Sequence, residues 1–285
     1  MSVTAKELKT ELKPDWCPGC GDFAILNGLK SSVAEAGLQP HNTLVVSGIG
    51  CSSKLPHWIK CYGFHTLHGR SLPVAQGVRM ANHELDIIVI SGDGDGYGIG
   101  MGHLVHAMRR NMRMAVIVHN NQTYGLTTGQ TSPTSDLGYR SKSTPLGNTE
   151  VPVNPIALGI IGGATFVARA FAGDVKHMNM VLVRALKHTG FALVDVFQPC
   201  VTFNKVNTYD FFRSTTYRLE DQGHDPKDKA AALTRAVEHE RLPIGVFYEE
   251  SRPTYEGTHP ALADGPLVKH DIADIDLTAA IEEFF

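Results

Sequence analysis

From about residue 22 to residue 198 the chain alternates between two hydrophobic periods. Apolar residues recurring every three to four positions mark helices, and short β-branched runs mark buried strands. DFAILNGLKSSVAEAG (22–37) has helical spacing and stops at Gly37, and TLVVSGIG (43–50) is a strand entering a glycine turn. LPVAQGVRMANHE is helical, DIIVISGDGDG is a strand running into a flexible turn, and GIGMGHLVHAMRRN is helical again. RMAVIVHNN is a strand, followed by a long polar loop from Asn121 to Glu150. Helical NPIALGIIGG, strand TFVARA, helix DVKHMNMVLVRALKHTG and strand GFALVDVF complete the series.

Strands separated by helices of roughly ten to fifteen residues imply crossover connections. The predicted fold class is therefore α/β: a doubly wound, mostly parallel sheet with helices on both faces. Such sheets place ligands outside the carboxyl ends of their strands. Three strands end in loops rich in glycine and polar residues, SGIGCSSK, SGDGDGYG and HNNQTYGLT, which sets the expected site. Beyond Cys200 the pattern becomes polar, with one helical stretch, DPKDKAAALTRAVEHE, and a tail, EESRPTYEGTHPALADG, too polar to form a core of its own. The expected organisation is an N-terminal segment (1–21), an α/β domain (22–204) and a C-terminal arm (205–285) that wraps the domain or a partner.

The 285 residues are 42% apolar, enough for a substantial core. A net charge of −3 without like-charged blocks argues against nucleic acid or an anionic membrane as partner. The longest apolar runs, such as Ile87–Ile90 and Met114–Val118, are too short to span a bilayer. MSVTAKELKTELKPD lacks the apolar stretch of a secretory signal, so the expected location is cytoplasmic. There, five cysteines point to metal binding or catalysis before disulfides.

SGDGDGYGIG fits neither a dinucleotide fingerprint nor a phosphate loop ending in Gly-Lys-Ser/Thr. It is not an EF-hand loop, because the twelfth position from Asp93 is Leu104. What remains is a carboxylate between glycines at a strand end, ahead of a helix whose free amides favour an anion. The next strand ends in Asn120-Asn121. Aspartate, an asparagine oxygen and a backbone carbonyl form a hard-oxygen site for magnesium, with phosphate oxygens and water completing the shell. The competing reading has Asp93 capping the helix and the asparagines forming a turn.

WCPGC places Cys17 and Cys20 three positions apart before a helix, a spacing shared by redox dithiols, zinc knuckles and iron–sulphur cages. Here the chain resembles a known family. GDG followed some 25 to 30 residues on by NN is similar to the thiamine diphosphate motif. GIGCSSK, HTLHGR, GDGDGYGIG, RRN and NNQTYGLTTGQTSPT together resemble the β subunit of 2-oxoacid:ferredoxin oxidoreductases, from about Trp16 to Asn204. PIGVFYEESRPTYE is similar to the 2-oxoglutarate branch.

The resemblance implies that Asp93 and Asn121 bind Mg2+ through their side chains and Thr123 through its carbonyl. Gly94 and Asp95 would hold the diphosphate of thiamine diphosphate by their backbone, and His68 would touch the same end. Gly125 and Leu126 would lie along the cofactor, Leu126 as its apolar prop, with Ile49, Gly50, Cys51 and Ser52 on the other side. Cys17, Cys20, Cys51 and Cys200 match the family's ligands to a 4Fe-4S cluster, leaving Cys61 as a core residue. One CxxC with two distant thiols suits a cubane. Zinc sites use two close pairs, and no strand precedes Trp16 as a thioredoxin-like dithiol would require.

Lys54 is the candidate cation for the substrate carboxylate, against the alternative of a solvated lysine. Thr128 stands where some relatives carry lysine. His103 and His106 share helical spacing without a carboxylate nearby, His119 is read as holding a strand end, and Arg109 and Arg110 oppose a helix dipole. The implied activity is decarboxylation of a 2-oxoacid, 2-oxoglutarate above pyruvate or a branched-chain acid, with electrons passing to ferredoxin and acyl transfer to coenzyme A. An α subunit would bring the glutamate facing the cofactor's pyrimidine and the coenzyme A site, in an (αβ)2 assembly. The competing classes are a zinc-stabilised regulatory subunit without catalysis and a thiol oxidoreductase.

Overall fold

The computed structural model describes residues 3–273 and 275–285. Eight strands form one sheet: β1 (Thr43–Ser47), β2 (Tyr62–His65), β3 (Asp86–Gly92), β4 (Met114–Asn120), β5 (Phe166–Phe171), β6 (Phe191–Phe197), β7 (Thr216–Arg218) and β8 (Leu242–Glu249). Their order is β2-β1-β3-β4-β6-β5-β8-β7. Every pairing is parallel except β5 with β8. The principal helices are α1 (Asp22–Ala36), α2 (Ser71–Ala81), α3 (Met101–Arg110), α4 (Pro155–Gly162), α5 (Val175–Lys187), α6 (Tyr209–Thr215) and α7 (Lys229–Ala236).

Alternation along the strands builds two cores. Val45, Ile88, Ile90, Ile117 and Val194 face α1 and α5, whereas Val46, Val89, Val116 and Leu193 face α2, α3 and α4. Central strands buried on both faces explain the near-continuous β-branched runs in their sequences. The helices take local stop signals. Gly37 closes α1 and Asn111 closes α3, both in the left-handed region, while Asp174 and Asn154 cap α5 and α4 by accepting from His177 N–H and Ala157 N–H.

After β1 the chain turns outward to β2, and from β3 onward it is laid down on the opposite side. The reversal falls between β1 and β3, so their carboxyl ends open a crevice. β2 closes the sheet as an edge, with all four residues exposed.

Three strands were not legible in the pattern. β2 is too short and exposed to show a period, and β7 has only three residues. Of the stretch after 205, expected as an arm, Leu242–Glu249 enters the sheet as β8 beside β5. The Pro243 that obscures that strand is its second residue, near the start where a missing N–H is tolerated. Beyond β8 the tail lies on the domain: Asn111 Nδ2 donates to the Arg252 and Pro253 carbonyls, and Glu256 is buried beside Arg79. Among the described residues, no helix is long and apolar enough to cross a membrane.

Candidate functional site

The crevice between β1 and β3 opens into a cavity lined by Ile49, Gly50, Cys51 and Ser52 after β1, Asp93, Gly94 and Asp95 after β3, and Asn121, Thr123, Gly125 and Leu126 after β4. His68 joins them from the loop before α2. Every residue expected to hold the cofactor or magnesium thus borders one space. Lys54 does not: its ammonium sits 3.1 Å from both carboxylate oxygens of Asp15, bordering a neighbouring cavity.

Asp93 is 2% exposed. Its Oδ2 accepts from Ser132 Oγ at 2.5 Å and Thr134 Oγ1 at 2.7 Å. Burial nevertheless pushes the carboxyl up to about 6, because those hydroxyls offset only part of the desolvation. A divalent cation would supply the missing positive charge. Asn121, the second expected ligand, is held in one orientation: its Nδ2 donates to Gln198 Oε1 at 2.8 Å, and its Oδ1 accepts from Thr123 N–H at 3.1 Å. The donors are hard oxygens, which fits magnesium.

Gly94–Ile99 form a π-helical turn broken at Gly98, followed directly by α3. A side chain at Gly94 would collide with Tyr124, since a Cβ there would lie 2.1 Å from Cε1. The Tyr124 hydroxyl donates to the Gly94 carbonyl at 3.1 Å, pinning the loop after β4 to the loop after β3. The Asp95 side chain does more than its backbone was expected to do. It accepts from Ile49 N–H at 3.1 Å, Gly69 N–H at 2.6 Å and Ser91 Oγ at 2.7 Å, drawing three loops together. His68 Nδ1 lies 3.0 Å from Asp95 Oδ1 without hydrogen-bond alignment, and its ring faces the cavity half-exposed.

A second cavity adjoins the first. Cys17, Cys20, Cys51 and Cys200 all border it, with Trp16, Asp22, Lys54, Asn121, Gly125, Leu126 and Phe203. Trp16 Nε1 donates to the Cys51 carbonyl at 2.7 Å, and Gly21 N–H donates to the Pro199 carbonyl at 3.3 Å, fastening the CxxC segment to the other two loops. The two cavities share Cys51, Asn121, Gly125 and Leu126 as a common wall. At Gly125 a Cβ would stand 3.5 Å from Cys51 Sγ and 3.8 Å from Cys200 Sγ.

All five cysteines are free thiols. Burial and the Asp22 carboxylate hold Cys20 far above the usual thiol range and push Cys51 up to about 12. That is the opposite of the lowered pKa a redox dithiol exploits. Among the described residues, no three His, Cys, Asp or Glu side chains converge on a point able to hold one metal ion. Tetrahedral zinc needs sulphurs about 2.3 Å from such a point. All four thiols border one cavity, and four thiolates are the donor set of a polynuclear iron–sulphur cluster. Cys61 packs against the α1/α5 core, where burial pushes it up to about 11.

Several residues were beyond sequence reasoning. His119 Nδ1 donates to Asp22 Oδ1 at 2.6 Å, a pair 97 positions apart with both side chains buried. His119 Nε2 has no partner, and the ring borders the first cavity while Asp22 borders the second. Gln198 and the Ser132/Thr134 hydroxyls also escaped notice, since polar residues in loops carry no periodic signal. His103 and His106 belong to no metal-binding group among the described residues, and Arg110 spends its guanidinium on Gln76.

Residues 48–196 match the family described as thiamine pyrophosphate enzyme, C-terminal TPP binding domain. Residues 200–264 match the family that describes the C terminal part of the pyruvate ferredoxin oxidoreductase beta subunit. The chain is 48% identical over 260 residues to 2-oxoacid:ferredoxin oxidoreductase 1, subunit beta, of Aeropyrum pernix, covering 87% of this chain and 82% of that one. It is 46% identical over 280 residues to the 2-oxoacid:ferredoxin oxidoreductase subunit beta of Saccharolobus solfataricus, covering 92% of each. A solved structure of 2-oxoglutarate:ferredoxin oxidoreductase from Magnetococcus marinus, with 2-oxoglutarate, coenzyme A and succinyl-CoA bound, superposes with a TM-score of 0.91 at 39% identity over 99% of this chain and 96% of that chain.

Proposed function

The chain belongs to the family of 2-oxoacid:ferredoxin oxidoreductase β subunits, and from that premise we propose that it catalyses oxidative decarboxylation of 2-oxoglutarate to succinyl-CoA with an α subunit. The observation that carries this reading is the common wall. Cys51, Asn121, Gly125 and Leu126 border both the Asp93 cavity and the four-cysteine cavity. An electron donor and an electron acceptor placed there would be separated by a single layer of residues.

Asp93, Asn121 and the Thr123 carbonyl would hold Mg2+, and the amides around Gly94 and Asp95 would receive a diphosphate. Bound there, thiamine diphosphate supplies the electron sink for decarboxylation. Cys17, Cys20, Cys51 and Cys200 would hold a 4Fe-4S cluster, a one-electron carrier whose potential can be low enough for ferredoxin. Leu126, about half-exposed, offers apolar surface on which to prop the cofactor. Tyr124 and Asp95 tie the loops around the cavity to one another, which would lower the ordering cost of receiving a diphosphate.

Lys54 is the cation proposed for the substrate carboxylate. Its partner Asp15 is well exposed, and exposed ion pairs contribute little, so the ammonium can exchange partners at small cost. The pyrimidine-facing glutamate and the coenzyme A site are assigned to the α subunit, in an (αβ)2 assembly working in the cytoplasm. The free thiols suit a reducing compartment.

The match of residues 200–264 to a pyruvate-enzyme domain favours pyruvate as a second reading. The test is anaerobic co-production with the α subunit, followed by iron, sulphide and thiamine analysis and rates over a panel of 2-oxoacids with coenzyme A and ferredoxin. Fastest turnover of 2-oxoglutarate by a brown complex is expected, with no steady reduction by this chain alone. A colourless zinc protein would overturn the reading.

A further inference from the structure

Gln198 joins Asn121, which borders both cavities, to Cys20, which borders the second, and each of its polar atoms is engaged. It follows β6, two residues before Cys200, and is 1% exposed. Its Oε1 accepts from Asn121 Nδ2 at 2.8 Å. Its Nε2 donates to Cys20 Sγ at 3.2 Å and to the Pro199 carbonyl at 3.0 Å. The chain makes room for it: a Cβ on Gly21 would stand 2.9 Å from Gln198 Cγ and 3.1 Å from Nε2. The glycine between the CxxC and α1 is therefore required by the glutamine packed against it.

We propose that Gln198 is a positioning residue that couples the metal half of the site to the cysteine half. At one end it holds the Asn121 carboxamide by its Nδ2. By taking Nδ2, Gln198 leaves Oδ1 on the side of Thr123, where an oxygen ligand is needed. Without Gln198 the Asn121 Nδ2 loses its partner, and the Thr123 N–H alone holds the amide in this orientation. At the other end it aims an N–H at Cys20 sulphur. Hydrogen bonds to cluster sulphurs stabilise the more negative, reduced state and raise the potential. One side chain thereby sets metal affinity and electron affinity together, and this inference rests on the cofactors assigned under the proposed function.

The experiment uses the complex co-produced with its α subunit and compares wild type with Gln198→Met and Gln198→Glu. Methionine keeps the volume and removes both roles. Glutamate keeps the acceptor toward Asn121 and removes the donor toward Cys20. Cluster midpoint potential is read by EPR-monitored redox titration at about pH 7.5 and about pH 9.5, because burial raises an introduced carboxyl and its ionisation then shows as a pH dependence. Mg2+ and thiamine diphosphate affinity is read by tryptophan fluorescence. Both variants are expected to show a lower potential. Mg2+ affinity should fall about tenfold in Gln198→Met, the scale of lost outer-shell partners, and by less than about threefold in Gln198→Glu. Gly21→Ala, which displaces the glutamine without altering it, should move both readouts as Gln198→Met does. A wild-type potential in both variants, or unaltered Mg2+ affinity in Gln198→Met, overturns the coupling. A wild-type complex without an iron–sulphur EPR signal overturns the functional reading itself.

Discussion

Gly48 lies against the Asp95 carboxylate so closely that a Cβ on it would stand 1.9 Å from Oδ2. Asp95 in turn gathers the amides of Ile49 and Gly69 and the Ser91 hydroxyl. Gly48→Ala must push that carboxylate out of its place and release the loops after β1 and before α2 together. The expected cost is about 1–3 kcal/mol of stability by urea unfolding, with loss of thiamine diphosphate binding by calorimetry. Binding at wild-type strength would show that Asp95 does not organise the cavity.

The Asp93 carboxyl gives a pH dependence of definite sign. Burial raises it from 3.8 to about 6, so the folded apo chain binds its proton more tightly than the unfolded chain. The folded state carries the excess proton between those values, so this group's contribution to stability falls as pH rises from about 4 to about 6 and levels off above. A divalent cation needs the ionised form. Stabilisation by Mg2+ with thiamine diphosphate, measured by thermal melting, should therefore be larger at pH 7.5 than at pH 5.5. Asp93→Asn should abolish it at both.

Asp22 and His119 make a buried pair between the two cavities. Asp22→Ala leaves the His119 Nδ1–H without its acceptor, at a cost of about 1–3 kcal/mol. A cycle with His119→Ala, read by denaturant unfolding, should yield a coupling of about 0.5–3 kcal/mol. Additive single effects would mean that the 2.6 Å contact contributes nothing.

Glu256 tethers the tail by burying its carboxylate beside the fully buried Arg79, whose guanidinium burial lowers to about 10. Glu256→Gln keeps an acceptor for Arg113 N–H but leaves Arg79 charged and unpaired. Breaking a buried pair from one side costs about 3–5 kcal/mol. Limited proteolysis should then cut between β8 and the C-terminus faster than in wild type.

The central strands and the glycine turns that end them were legible because their two periods are unmistakable in the chain, and the crevice followed from their order. Asp93, Asn121 and the four cysteines stood out by residue type. What the pattern withheld was pairing between distant loops. Nothing in FQPC marks Gln198 as a neighbour of both Asn121 and Cys20, and nothing in GCGDF announces that Asp22 will meet His119. β8 was obscured for a different reason: Pro243 stands near its start, and nothing local announces that it pairs antiparallel with β5, against the direction of every other pairing.

The edge strand β2 carries a practical consequence. Its outer rim offers unpaired amides and carbonyls beside Tyr62 and Phe64, both about half-exposed. Edges of that kind recruit further strands from neighbouring molecules. Overproduced by itself, the polypeptide should accumulate in inclusion bodies or as soluble aggregates, and a charge introduced at position 64 should raise its yield.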